Sequence, residues 1–155
     1  LGDRLVPGRD MILDGGPCPI GVESTIVDCA SSPPQILRAG AISVEDVTRL
    51  LTGMVADASG PSRASGMLAS HYAPRCSVKL VDSADDAIAL RAGTVGAEVL
   101  DLTDDLVTYA QELYVRLRDA DERSVPTLIA VLPPPEGLGH AIRDRLGKAA
   151  APRPR

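Results

Sequence analysis

Between residues 76 and 150 the apolar pattern switches repeatedly between the strand period and the helix period. That alternation limits the fold more than any other feature. Residues 77–81 read as a strand. Ser83 is placed to cap a helix, with Asp86 at the third position, and Gly93 stands where that helix should stop. Residues 97–100 form the next strand. Thr103 is placed to cap a longer helix, with Leu106, Tyr109, Ala110, Leu113 and Leu117 in one stripe. Residues 127–132 are a continuous apolar run, as expected of a strand covered on both faces. A turn at 133–136 leads into a final helix over 139–149. Strand and helix alternate three times, which predicts an α/β unit: a small three-layer parallel sheet with right-handed crossovers.

The opening segment is less regular. Met11, Ile12 and Leu13 form a short apolar run stopped by Asp14, Gly15 and Gly16, a strand followed by a turn. Pro17 and Pro19 keep the next residues extended. Residues 22–28 alternate, with Val22, Ser24, Ile26 and Asp28 on one face and Glu23, Thr25 and Val27 on the other. Residues 35–38 are a further strand. Ser43 opens a helix with Asp46 as its capping partner and Val44, Val47, Leu50 and Leu51 as its apolar stripe. Three strands and one helix make a weak independent core. The segment is therefore expected to be the end of a larger α/β domain, in keeping with a start at Leu1 rather than methionine.

Residues 65–74, Ser-Gly-Met-Leu-Ala-Ser-His-Tyr-Ala-Pro, have neither period, yet hold one of two histidines and one of three tyrosines. The stretch has no Lys, Glu or Asp, and its Met67, Leu68 and Tyr72 gain by being covered. It is either a docked connector or a loop laid over a ligand site with His71 and Tyr72 facing inward.

This stretch resembles the linker signature of the long, two-domain threonylcarbamoyl-AMP synthases. The run Gly21-Val22-Glu23-Ser24-Thr25-Ile26-Val27-Asp28 and the run Ile36-Leu37-Arg38-Ala39-Gly40-Ala41-Ile42 are similar to the end of their YrdC-type catalytic domain. Ser65 and Ala39 stand where that family usually has proline. The resemblance implies a C-terminal part of a YrdC-type domain over 1–51, a linker or lid over 52–75, an accessory Rossmann-like domain over 76–150 and a tail over 151–155. It implies a nucleotidyltransferase that makes threonylcarbamoyl-AMP and pyrophosphate from threonine, bicarbonate and ATP, usually with Mg2+ on the phosphates, for threonylcarbamoyladenosine in transfer RNA. Other tRNA-modification proteins are expected as partners, and the cytoplasm as location. The family's upstream Lys-x-Arg-Pro and Ser/Thr-Ala-Asn elements do not occur here, so residues 1–155 alone are expected to be inactive.

By type alone, the Ser24 and Thr25 hydroxyls suit either ordinary strand polarity or a carboxylate or phosphate ligand. Arg38 suits a surface ion pair or phosphate oxygens. The resemblance places Ser24 and Thr25 at the threonine and nucleotide site and makes Arg38 a phosphate contact. It runs Arg63, His71 and Tyr72 over the mouth of the cleft, where a lid excludes water. Arg63 could equally be solvated, and His71 a satisfied structural histidine. Glu23 and Asp28 could by type alone be general bases or metal ligands, and read first as structural hydrogen-bonding groups or a solvated face.

Charge and composition remove other classes. A net charge of −5 with no basic block argues against duplex nucleic-acid binding, and 2% aromatics against stacking on single strands. Cys18, Cys29 and Cys76 are far apart and odd in number, which points to reduced cytosolic thiols and no metal site. No apolar run approaches the ~18 residues of a membrane helix. The acid pairs Asp85-Asp86 and Asp104-Asp105 fall in first helical turns, where the helix dipole explains them. Gly137-Leu138-Gly139 is a tight helix entrance lacking a third spaced glycine, so a nucleotide-binding oxidoreductase ranks last. His140 beside it is expected at the surface. The alternative to the enzyme is a non-catalytic α/β interaction or regulatory module.

Overall fold

The computed structural model describes residues 6, 8–51, 53–67 and 73–152. In the rear part, β4 (Ser77–Val81), β5 (Ala97–Leu100) and β6 (Thr127–Val131) form a parallel sheet in the order β4-β6-β5. Every residue of β6 is buried. Its side chains alternate between two cores, as the period of a strand demands. Leu128 and Ala130 join one cluster, Ile129 and Val131 the other. Helix α2 (Ala84–Ala92) covers one face, while α3 (Leu106–Glu122) and α4 (Leu138–Ala150) pack together on the opposite side, completing three layers.

Ser83 caps α2 by accepting from the Asp86 N–H at 3.1 Å, and Gly93 ends it. The cap of α3 is Asp105, not Thr103. Its carboxylate accepts from the N–H groups of Val107 and Thr108, whereas the Thr103 hydroxyl donates to Asp101 at 2.7 Å. The Asp105 carboxyl is held below its ordinary range by these bonds, the Thr108 hydroxyl first. Tyr109, Ala110, Leu113 and Leu117 are buried as a stripe, and Tyr109 donates to the Val131 carbonyl at 2.9 Å. Burial raises the Tyr109 hydroxyl above its ordinary value.

The front part carries a second sheet, in the order β1-β2-β3: β1 (Ile26–Asp28), β2 (Gln35–Arg38) and β3 (Ala56–Asp57). β1 pairs antiparallel and β3 parallel to β2. The helix α1 (Val44–Leu50) begins at Ser43, which exchanges bonds with Asp46 as expected. Of its four-residue stripe only Val47 is buried. Residues 11–13 form no strand among the described residues and are exposed, because no neighbouring strand supplies ladder partners. The alternation over 22–28 yields strand only from Ile26 onward. Ahead of it, Gly21 has φ +82°, and Val22 and Glu23 both turn toward the rear part rather than to opposite faces. β3 has no hydrophobic signature, being two residues long, and lies in a stretch expected to be irregular.

Candidate functional site

Three segments meet around Arg38: the residues before β1, the end of β2 and the start of the 65–74 stretch. The strand β2 presents Arg38 next to Ile26 in the antiparallel register. Its guanidinium donates from Nε to the Ser24 carbonyl at 3.0 Å and from Nη2 to the Ser24 hydroxyl at 3.1 Å. Nη1 donates to the Ser65 carbonyl at 3.3 Å. A guanidinium has five N–H groups, so two find no acceptor among the described residues. Among the described residues no carboxylate lies within ion-pair distance of Arg38. A half-buried cation with donors to spare and no counter-charge suits an anion.

Gly40 makes the close packing possible. A Cβ there would overlap the backbone of residues 23–25, so only glycine lets the chain after β2 lie behind them. Thr25 closes the same turn. Its hydroxyl donates to the Ile42 carbonyl at 2.6 Å and accepts from the Ile42 N–H at 3.1 Å. The Thr25 proton is thus committed to the backbone, and one acceptor lone pair remains. Ser24, by contrast, is exposed.

Arg63 does not stand free in solvent. It reaches Asp28 at 2.8 Å and the Gln35 side chain at 2.8 Å, pinning its segment to β1 and β2. Asp28 is held below the ordinary carboxylate range, first by the Ser31 hydroxyl, then by the Ala30 N–H, with Arg63 adding to it. His71 and Tyr72 lie outside the described residues. Further along, the N–H groups of Arg75 and Cys76 are caught by the Asp121 carboxylate at 2.7 and 3.0 Å.

The side chain of Glu23 points away from Arg38, into the rear part. Its Oε2 accepts from Arg145 Nε at 2.9 Å and from the Tyr114 hydroxyl at 3.1 Å. Arg145 is completely buried on α4, and Asp144 also contacts its Nη1. Its Nη2 sits 2.9 Å from Glu23 but lacks hydrogen-bond geometry. Burial opposes the charge, yet the two carboxylates outweigh it and raise the Arg145 pKa. Sequence reasoning missed Arg145 and Tyr114. The available signal was a cation inside an apolar stripe: Arg145 shares a helix face with Ile142, Leu146 and Ala149. His140, expected at the surface, is partly covered and lies 3.1 Å from Glu45 of α1.

These elements define an α/β protein of two parts, with an arginine-centred polar cradle next to their seam. Against solved structures, the chain superposes on Pyrococcus abyssi Sua5 complexed with L-threonine with a TM-score of 0.74 and 29% identity, covering 88% of this chain and 48% of that one. A variant of the same protein, in which a consecutive histidine and tyrosine are each replaced by alanine, matches with a TM-score of 0.75 and 27% identity, covering 88% and 47%. Threonylcarbamoyl-AMP synthases from Pyrococcus abyssi and Bacillus subtilis are 29% and 31% identical, over 91% and 92% of this chain. The chain spans about half the length of these curated relatives, 49% in both. A family model described as "Telomere recombination", that of the YrdC proteins, matches residues 2–40. The model for "Threonylcarbamoyl-AMP synthase, C-terminal domain" matches residues 42–151, and the chain belongs to that family.

Proposed function

We propose that the chain is the C-terminal part of a threonylcarbamoyl-AMP synthase, acting in tRNA threonylcarbamoyladenosine modification in the cytoplasm. The boundaries proposed are 1–51 for the end of the catalytic domain, 52–75 for the linker and 76–150 for the accessory domain. In this reaction the threonine amine and bicarbonate form a carbamate with loss of water, and a carbamate oxygen attacks the α-phosphate of ATP and expels pyrophosphate. Positioning and charge stabilisation carry such a step. Arg38 offers its two spare N–H groups to a phosphate or carboxylate oxygen of the substrates, and Ser24 its exposed hydroxyl. Thr25 holds the turn and can accept one further bond. Arg63 fastens the start of the linker to β1 and β2, and the lid role proposed for His71 and Tyr72, which lie outside the described residues, rests on the family resemblance. The remaining phosphate-binding cations come from chain outside residues 1–155.

The described residues do not fit a resident magnesium site. No cluster of three His, Cys, Asp or Glu side chains occurs among them, and the nearby acids Glu23 and Asp28 are bound to arginines. Magnesium in this reaction would belong to the nucleotide's phosphates.

The observation that carries this reading is Arg38, braced on both oxygens of Ser24 and facing no carboxylate among the described residues. The test uses the full-length enzyme and pyrophosphate release from threonine, bicarbonate and ATP. Arg38→Ala should lower kcat/KM about a hundredfold, the scale of one lost charge-stabilising donor. Arg38→Lys should recover only part, because an ammonium cannot reproduce the fork. A rate unchanged in Arg38→Ala would overturn the proposal.

A further inference from the structure

We propose that Arg145 is a positioning residue for the Ser24–Arg38 cradle: a rear-domain cation that sets, through Glu23, where the front-domain hydroxyl and guanidinium stand. This rests on the cradle being the substrate site. Arg145 is fully buried in the apolar face of α4, where a methionine or leucine would pack at least as well. Adhesion between the two parts does not need it either. Val22, 6% exposed, already inserts into the rear core, and Gly21 lies so close to α3 that a Cβ would overlap the Ala110 and Gln111 backbone. What apolar packing cannot supply is register, because it is non-directional. A carboxylate gripped by Arg145 Nε and by the Tyr114 hydroxyl has one place to be.

The residue so gripped is the immediate neighbour of Ser24. On its other side the chain is clamped by Arg38, and behind it by Gly40. A displacement of Glu23 has nowhere to dissipate before it reaches the Ser24 hydroxyl and Arg38. The rear part thereby acts on the geometry of the site.

The test separates geometry from stability in the full-length enzyme. Arg145→Met alone strands Glu23 near a buried face, so the decisive variant is Glu23→Gln/Arg145→Met, which removes both charges of that pair and leaves Asp144 its bond from Lys148 at 2.7 Å. It should melt within about 3 °C of the parent, since apolar replacements of buried pairs are often neutral. Its KM for threonine should nevertheless rise about tenfold, the scale of a small misplacement of binding groups. Tyr114→Phe, which deletes a single hydroxyl, should raise KM about threefold at unchanged Tm. Arg123→Gln, which breaks exposed pairs with Glu98 and Asp119 away from the cradle, should change neither. Parent-like KM and kcat in the double variant would overturn the inference, as would parent-like KM in Tyr114→Phe should the double variant fail to fold. If Arg38→Ala is impaired while these variants are not, the cradle stands and Arg145 is only a strut. If Arg38→Ala is unimpaired, the site itself was misplaced and the inference falls with it.

Discussion

The rear and front parts of this chain are built on opposite terms. The rear sheet is sandwiched between helices, and its largest core side chains, Tyr109, Leu113, Ile129 and Ile142, are fully enclosed. In the front, the buried aliphatic side chains among the described residues are Val22, Leu37 and Val47, and Val22 belongs to the rear cluster. Met11 and Leu13 are more than four-fifths exposed. The cradle is therefore carried by the region that can do least to hold itself. Order at the cradle comes from directional contacts: Arg38 on Ser24, Thr25 on Ile42, and Glu23 on Arg145. If Arg145 acts as proposed, the rear part serves the cradle by fixing position across the seam.

That contrast can be broken most sharply from the rear. Leu113→Ala should destabilise the rear domain by about 3 kcal/mol through the cavity it leaves, read as a fall in Tm. If the rear lends order to the front, amide exchange in residues 22–28 should speed up in the same variant. Unaltered protection there would make the two parts independent. At the seam, Gly21→Ala should cost about 2 kcal/mol, combining a positive φ with an overlap on the α3 backbone. Here the expected signature is a loosened front with the rear sheet's slow amide exchange retained. A wholly cooperative loss would mean the front cannot open separately.

The smallest effect sharpens the front alone. The Asp28 carboxyl is depressed, so its ionised form is favoured in the folded chain. The stabilisation it provides is complete above the ordinary carboxylate value near ~3.9 and is lost as pH falls through the lower folded value. Carboxyl titration followed by NMR should place its midpoint below that ordinary value. Ser31→Ala should move the midpoint up more than Arg63→Gln, because the Ser31 hydroxyl is the larger cause. The reverse order would make the Arg63 bridge the dominant tether of the linker.

Much of the rear domain could be read directly. The three strands, the Ser83 cap, the Gly93 stop and the Tyr109-to-Leu117 stripe depend on neighbours within a few residues, and local period reports them. The Thr103 cap failed because Thr103, Asp104 and Asp105 all carry side-chain oxygens. Asp105 took the helix N–H groups and left Thr103 to Asp101. The short apolar run also promised a strand at 11–13, but a strand requires a partner ladder, which the run alone cannot supply.

The cradle shows the same division more finely. The residue types at Ser24, Thr25 and Arg38 declared hydrogen-bonding chemistry, and their motif declared a family. Which hydroxyl is committed to the backbone, which cation faces a carboxylate and which does not, was decided by contacts spanning 14 to more than 100 residues of chain. Local sequence determined the elements and the kinds of side chain they carry, because both are set within a helical turn or a strand. Only the tertiary structure could turn Glu23 from Arg38 toward Arg145, because a charge finds its partner through space and the chain must first fold to bring them together.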